Sequence, residues 1–286
     1  TGVYAFLKPD FKGLFKLDIW IGSFSLALLS LGLSFGVMHA FARKSEKGFL
    51  VGNSLIVAVF EVLVSIAVGF ILFGILGFLS MKQGSGLDSL VSLDFSFPFA
   101  ILAQTLPFFY KPALLSILFF ALLSIFFIFG ASVLAYSISH VLVHKFKTRH
   151  RHAAVFVCGL GFLFGLLFII KPGFYIMDIV NHFVYYNILI VVMLEVLAIG
   201  WLYDSEKISD FIDQNSVLKI GAIWRFLTRY VVPLTILFLL FFRVKQDILL
   251  NYNNYPLLAI LVFGVGIVIA PMLIAFLMPQ KILDRR

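Results

Sequence analysis

The residues best suited to bind an ion or a solute lie in one Ser-Leu-Gly-Leu-Ser-Phe-Gly segment, from Ser30 to Gly36. It sits inside a stretch from Ile19 to Ala42 that contains no charged side chain. Glycine and serine both favour non-helical backbone, and peptide groups freed from a helix can hydrogen-bond a solute. At bilayer depth such backbone must be surrounded by protein or by a water-filled cavity. The segment therefore predicts an interrupted membrane helix with partner helices around it.

A second candidate for chemistry is Glu61, a carboxylate within a long apolar run. Charge near the bilayer centre is costly, and it usually marks a functional group or a specific partner. A carboxylate at this depth could bind a cation or take up a proton. The alternative interpretation is a protonated Glu61 that is hydrogen-bonded to a neighbouring helix.

The composition specifies the environment in which these groups must work. Of the 286 residues, 62% are apolar and only 13% are charged, and the mean hydropathy is +1.08. These values indicate a polytopic membrane protein with no soluble domain. The net charge of +8 comes from short basic clusters between apolar runs, a pattern typical of membrane topology rather than of nucleic-acid binding.

Charged residues divide the chain into stretches long enough to cross a bilayer, which takes roughly 20 apolar residues each. The seven predicted spans are 18–42, 50–80, 112–143, 153–171, 177–203, 218–242 and 255–279. Between the second and third spans, residues 88–110 or so predict a short re-entrant hairpin. Fourteen of the 22 Lys and Arg residues fall on one side of this arrangement, which predicts an external N-terminus and a cytoplasmic C-terminus in the cell membrane.

Other kinds of chemistry find no support in the sequence. The single cysteine, Cys158, excludes an internal disulfide. No nucleophile elbow, P-loop or His-Glu-x-x-His motif is present, and neither His140 nor His182 has a second ligand placed to form a metal site. We expect no enzyme activity and no cofactor other than coupling ions.

Several motifs occur in the order and spacing of one transporter family. Phe6-Leu7-Lys8-Pro9-Asp10-Phe11, Trp20-Ile21 and the 30–36 segment resemble extracellular loop 3 and the sixth helix of the neurotransmitter:sodium symporter family. The later landmarks are Gly69-Phe70-Ile71-Leu72-Phe73 for the end of helix 7, Met177-Asp178 for the start of helix 10 and Arg229-Tyr230-Val231-Val232-Pro233 for the start of helix 11.

The resemblance implies an all-α membrane protein of the leucine-transporter fold, with its first helix unwound at the centre. Residues 1–286 form a single membrane domain in this interpretation. Residues 18–203 correspond to the second inverted five-helix repeat, and 218–279 to two trailing helices. The family's helices 1 to 5 would be absent and would have to be supplied in cis or by a separate chain. The implied partners are a small-molecule solute and the lipid bilayer.

The resemblance also assigns roles in solute and ion binding. Solute-lining positions fall on Leu29, Gly32, Phe35 and Ala135, although small residues in this segment also suit close helix packing. The first sodium site would use Ser30, and Glu61 replaces the family's asparagine ligand. A one-residue shift of register places Ser132 at the second sodium site.

Two further positions complete the assignment. Ser65 falls at the chloride position, and Asp178 at the extracellular gate, where the family pairs an aspartate with an arginine of helix 1. The alternative for Asp178 is an ordinary carboxylate at a helix start. The coupling ion implied is Na⁺, with proton coupling through Glu61 as an alternative and Cl⁻ dependence open.

The resulting expectation is a sodium-dependent symporter of a small organic solute, such as an amino acid with an apolar side chain, that works by alternating access. One alternative is a non-transporting fragment or a half-transporter that needs a separate partner. A heptahelical receptor also has seven spans, but its helix 1 would not be expected to contain the 30–36 pattern.

Overall fold

A computed structural model describes residues 2–37, 50–91, 97–250 and 252–277. Nearly all of these residues are helical, as the apolar composition predicts. In chain order the α-helices are α1 Gly2–Leu7, α2 Leu17–Ser30, α3 Leu50–Gln83, α4 Leu87–Leu90, α5 Phe97–Thr105, α6 Pro112–Phe146, α7 His150–Ile169, α8 Gly173–Leu197, α9 Ser205–Gln214, α10 Gly221–Phe226, α11 Val232–Leu250, α12 Leu257–Ala259 and α13 Gly266–Leu277. Three π-helical segments continue or join them at Ala198–Leu202, Leu227–Val231 and Ile260–Val265.

Six of these helical runs are long and apolar enough to cross a membrane: Leu50–Gln83, Pro112–Phe146, His150–Ile169, Gly173–Leu202, Gly221–Asn254 and Leu257–Leu277. They match the last six of the seven predicted spans. The first prediction, 18–42, is not confirmed as one span. In its place α2 has 14 residues, or about 21 Å of helix, which is less than the roughly 30 Å of a bilayer core. Residues 38–42 lie outside the described part of the chain.

The helix α2 ends where the sequence predicts an interruption. Residues 31–36 form turns, and Gly32, Ser34 and Gly36 have φ values of 66°, 72° and 68°. A right-handed helix requires negative φ, so three left-handed residues within five positions cannot continue it. The helical winding therefore stops at Ser30.

The sixth predicted span was wrong at its end. The sequence pattern placed the boundary at residue 242 because Arg243, Lys245 and Asp247 follow, but helix continues through α11 to Leu250. A charged residue ends a membrane span only when its side chain must remain hydrated. Arg243 and Asp247 instead lie largely buried against partners on α8.

The chain divides into two compact units. Unit 1 comprises Thr1–Gly22, Ser30–Cys158 and Asn215–Leu218, and unit 2 comprises Ser23–Leu29, Gly159–Gln214 and Lys219–Arg286.

Unit 1 is organised around the long helix α3. Near its middle, the Phe6 ring of α1 covers Gly69, where any side chain would collide with that ring. Further along, Leu76 and Leu79 form a buried cluster with Ile101 of α5. The short helices α4 and α5 occupy the segment predicted as a re-entrant hairpin.

Unit 2 is organised around α8. Ile179, Phe183 and Tyr186 form its buried cluster, packed against apolar residues of the last helix. Gly264 lies against the Phe183 ring, and an added Cβ would come within 2.7 Å of it. The π-helical segment at Ile260–Val265 therefore brings backbone close to α8 at this point.

Candidate functional site

The non-helical segment after α2 is joined to α6 by a hydrogen bond. The buried Ser137 donates its Oγ hydrogen to the carbonyl oxygen of Phe35 at 3.1 Å. A Cβ on Gly36 would lie 3.3 Å from the same Oγ, so the close approach depends on a residue without a side chain. Sequence reasoning missed Ser137, which is separated from Phe35 by 102 positions.

The predicted solute-lining residues fall in two places. Gly32 and Phe35 lie within the turns, and Ala135 lies two residues before Ser137 on α6, so these three belong to unit 1. Leu29, in the last turn of α2, belongs to unit 2. An added Cβ at Gly32 would meet no atom within 4 Å, so there is open space beside its backbone. All four residues are half-buried.

The structure brings two predicted residues, Glu61 and Ser65, into direct contact. Ser65 donates its Oγ hydrogen to Glu61 Oε1 at 3.1 Å, four residues apart on α3. Residues at this spacing share one helix face. Within the described residues this serine is the only hydrogen-bond partner of the Glu61 side chain. Ser65 and Glu61, which the family pattern predicts to serve chloride and cation binding, therefore form one polar pair.

The other predicted ion ligands are placed separately. Ser132 is exposed, and its hydroxyl donates to the carbonyl oxygen of Ile128 on its own helix at 2.7 Å. This local bond is common for serine inside a helix and leaves the oxygen lone pairs available as acceptors. Ser30 is the exposed last residue of α2.

The predicted gate residue, Asp178, is bound to the loop that precedes the last helix. Its Oδ2 accepts hydrogen bonds from Asn253 Nδ2 at 3.2 Å and from the Tyr255 hydroxyl at 2.9 Å. Burial and the hydrogen bond to Asp178 raise the pKa of Tyr255, because both favour the protonated phenol. Asp178 thus holds its partners within unit 2.

A second polar cluster in unit 2 was missed from the sequence. Asp247 Oδ2 accepts from the Tyr186 hydroxyl at 2.5 Å and lies 2.7 Å from His182 Nε2. The Arg243 guanidinium donates to the His182 carbonyl oxygen at 3.0 Å. The sequence feature that could have predicted this cluster is a pair of four-residue spacings on two apolar helices, from His182 to Tyr186 and from Arg243 to Asp247. The two pairs lie more than 60 positions apart, so their contact could not be read locally.

The His182 ring lies between two charged groups. One guanidinium nitrogen of Arg243, which can only donate, lies 3.4 Å from His182 Nδ1, and Asp247 Oδ2 lies 2.7 Å from Nε2. Among the described residues no group of three or more His, Cys, Asp or Glu side chains could hold a metal ion.

Comparison with known proteins gives the family to which this architecture belongs. The model of the sodium:neurotransmitter symporter family matches residues 1–284. Among similar proteins, an uncharacterized sodium-dependent transporter of Methanocaldococcus jannaschii is 29% identical over 89% of this chain. A sodium-dependent dopamine transporter of Bos taurus is 26% identical over 88% of the chain. A sodium-dependent nutrient amino acid transporter of Drosophila virilis is 25% identical over 88% of it.

These relatives are considerably longer than the chain. The matched part covers 52% of the archaeal protein, 37% of the bovine transporter and 40% of the fly transporter. The match nevertheless extends over nearly every residue of this sequence, from the loop before α2 to the last helix, and the family is one of transporters rather than enzymes. The chain belongs to the sodium:neurotransmitter symporter family.

Proposed function

We propose that this chain forms part of a sodium-coupled symporter that carries a small organic solute by alternating access. The observation that carries the proposal is the end of α2 at Ser30, followed by six turn residues in an otherwise apolar chain. Backbone released at this depth can bind a solute only inside a protein cavity. The family description and the relatives' names support sodium as the coupling ion.

The solute would lie beside the backbone of Gly32, where the space next to the Cα atom is open. Phe35 and Ala135, which belong to the same unit, would supply an apolar lining. Such a lining suits an amino acid with an apolar side chain, since each buried methylene contributes about 0.8 kcal/mol of transfer free energy.

The coupling ions would be bound by the hydroxyl groups of Ser30 and Ser132 and by the Glu61 carboxylate. The Ser65 hydrogen bond supports a role for Glu61 as an acceptor, as expected for a carboxylate that binds Na⁺ or takes up a proton. In either case the state of Glu61 would control the Ser65 hydroxyl, which occupies the proposed chloride position.

Asp178 would act at the extracellular gate. It is already paired with Asn253 and Tyr255, so closing the gate would require an added or exchanged partner, such as an arginine from another segment. Salt bridges of this kind gain strength when water is excluded. We place the N-terminal end of the chain outside the cell membrane and the C-terminal end in the cytoplasm, as the distribution of basic residues favours.

We further propose that five helices outside this sequence complete the transport site, in cis or from a separate chain. The second candidate is a half-transporter that needs a separate partner, or a non-transporting fragment. Uptake tests the first proposal. The 286 residues alone and the complete protein with the additional helices would each be reconstituted in liposomes, and [³H]leucine uptake would be measured in Na⁺ and in choline.

We expect sodium-dependent uptake from the complete protein and none from the 286 residues alone. A Gly32→Val variant should abolish uptake, because a branched side chain fills the space beside the backbone and resists positive φ. Gly130→Val, on a helix where an added Cβ meets no atom within 4 Å, is the control. Normal transport by Gly32→Val would contradict the proposed solute position.

A further inference from the structure

Arg243 is a buried cation whose hydrogen-bonding capacity is only partly used. It lies on α11 and is 9% exposed. Burying a guanidinium is costly unless its charge is paired and its donors are satisfied. No ion pair within 4.0 Å joins it to a carboxylate in the described part of the chain. Its Nε has no hydrogen-bond partner among the same residues.

The contacts that Arg243 does make fix its position without using all five N–H groups. One terminal nitrogen donates to the His182 carbonyl oxygen and approaches the imidazole of the same residue. The rings of Tyr185 and Tyr186 lie 5.1 and 5.3 Å from the guanidinium carbon, and their faces stabilise a cation. The guanidinium is therefore held in place while donors remain for another acceptor.

Arg243 also contributes to the wall of a cavity. Arg243 lines a space of about 400 Å³ together with Gln246, Asn253 and Asn254, whose side-chain amides can also donate. The Asp247 carboxylate lines the same space, but its Oδ2 already accepts from His182 and Tyr186. Arg243 is thus the charged group of this cavity that lacks a counter-ion at contact distance in the described residues.

A second, apolar cavity adjoins the first. Its volume is about 490 Å³, and its walls include Phe183, Val244, Ile248 and Leu257. Asp247 and Tyr252 line both cavities, so the polar and apolar spaces meet at these two side chains. A ligand that fills both would combine a group that accepts hydrogen bonds from Arg243 with an apolar body.

We propose that unit 2 binds an organic carboxylate with an apolar body, with the carboxylate on Arg243 and the body in the cavity lined by Val244 and Ile248. A planar guanidinium and a carboxylate can form two parallel hydrogen bonds, which gives the pairing strength and direction. The site shares no residue with the proposed solute and ion positions. Its ligand comes either from water, as a free acid, or from the bilayer, as a fatty acid.

The test is equilibrium binding to the complete protein in lipid nanodiscs. Radiolabelled octanoate is the probe, and acetate and chloride are competitors. We expect saturable octanoate binding that is at least about tenfold tighter than acetate binding, because the longer chain buries more methylene groups. Absence of saturable binding, or equal affinities for octanoate and acetate, would overturn the proposal.

Variants locate the site. Arg243→Gln should weaken octanoate binding at least about tenfold, whereas Lys245→Gln, an exposed cation on the same helix, should leave it unchanged. Ile248→Trp should fill the apolar cavity and weaken octanoate binding while acetate binding persists. If Arg243→Gln does not fold, Ile248→Trp decides, and unchanged octanoate binding in that variant refutes the site.

A final comparison separates the two sources of ligand. Nanodiscs with and without oleate in the bilayer would be titrated with octanoate. Displacement by oleate supports a fatty acid from the bilayer, and octanoate binding that oleate does not affect supports an acid from water. Equal displacement of octanoate from wild-type and Arg243→Gln protein would show binding elsewhere and would reject the proposal.

Discussion

Ser137 of α6 donates a hydrogen bond to the carbonyl oxygen of Phe35, in the turns that follow α2. Through this bond, a helix in the middle of the chain holds non-helical backbone from near its beginning. The bond is partly buried and its donor is 1% exposed, so water cannot replace Ser137 without rearrangement. The conformation of the 31–36 segment should therefore depend on α6.

Replacing the donor tests this dependence. Ser137→Ala leaves the Phe35 carbonyl without this donor, and we expect a loss of about 1 kcal/mol in stability. The expected results are a lower apparent Tm in nanodiscs and a raised KM for solute uptake. Ser139→Ala is the matched control, because the hydrogen bond that the structure gives the Ser139 hydroxyl lies within α6, to the carbonyl oxygen of Ala135. Equal effects of the two substitutions would contradict a special role for Ser137.

The left-handed backbone at Gly36 gives a second prediction. Gly36→Ala must adopt a φ of 68° and place a Cβ 3.3 Å from Ser137 Oγ. Left-handed backbone costs a residue with a Cβ about 1–2 kcal/mol, so thermal stability should fall. Gly130→Ala, inside α6 with free space around it, should be neutral or stabilising by about 0.5–1 kcal/mol. An unchanged Tm for Gly36→Ala would show that the turn is not required.

Glu61 gives a prediction about coupling. Glu61→Gln keeps the shape of the side chain and an acceptor for Ser65, but removes the charge and the titratable proton. If Glu61 takes part in coupling, uptake by the complete protein should lose its dependence on external pH or need more Na⁺. Glu195→Gln, a carboxylate in the α8 span, serves as the control. Unchanged Na⁺ and pH profiles in Glu61→Gln would refute the proposed role.

The start of α9 gives a prediction about pH. Asp204 accepts hydrogen bonds from the backbone amides of Glu206 and Lys207, as an N-cap residue does. The side-chain bond from Lys207, at 3.3 Å between Nζ and Oδ2, is the main influence that holds the pKa of Asp204 below its usual range. The ionised Asp204 carboxylate thus stabilises the start of α9 at pH values above the usual aspartate pKa. This stabilisation is lost as the pH falls through the lowered pKa of Asp204.

Hydrogen exchange measures this effect. Amides in the first turn of α9 should exchange faster in Asp204→Ala than in wild type at neutral pH, relative to the intrinsic rates. In wild type their protection should fall as Asp204 protonates. Asp210→Ala, an exposed carboxylate beyond that turn, is the control. Equal protection of the first turn in both variants would contradict the cap.

Local patterns were sufficient to predict much of this structure. The position where α2 ends follows from glycine and serine within seven residues, and six apolar runs predict six long helices. The charge pattern predicted the end of the sixth span wrongly at Arg243. Such a prediction assumes that charged side chains reach water, whereas the Arg243 guanidinium packs on the rings of Tyr185 and Tyr186. The predicted site residues were named from a family pattern, and their roles stay predictions.

Contacts between distant parts of the sequence could not be predicted. The four-residue spacing of Glu61 and Ser65 is visible in the sequence, and their hydrogen bond follows from helix geometry. Nothing local connects Ser137 with Phe35, or His182 with Asp247. Those pairs depend on which helices pack together and on how far they are offset along their axes. Neither can be read directly from a single sequence.

The π-helical segment at Ile260–Val265 has a consequence for the helix that follows it. A π turn contains one residue more than an α turn, so side chains beyond it are rotated by about 100° from the positions that uniform winding would give. The face presented by α12 before the segment is therefore not continued by α13 after it. Accessibility measured by cysteine scanning and plotted on a single helical wheel would therefore assign residues from Gly266 onward to the wrong face of this helix.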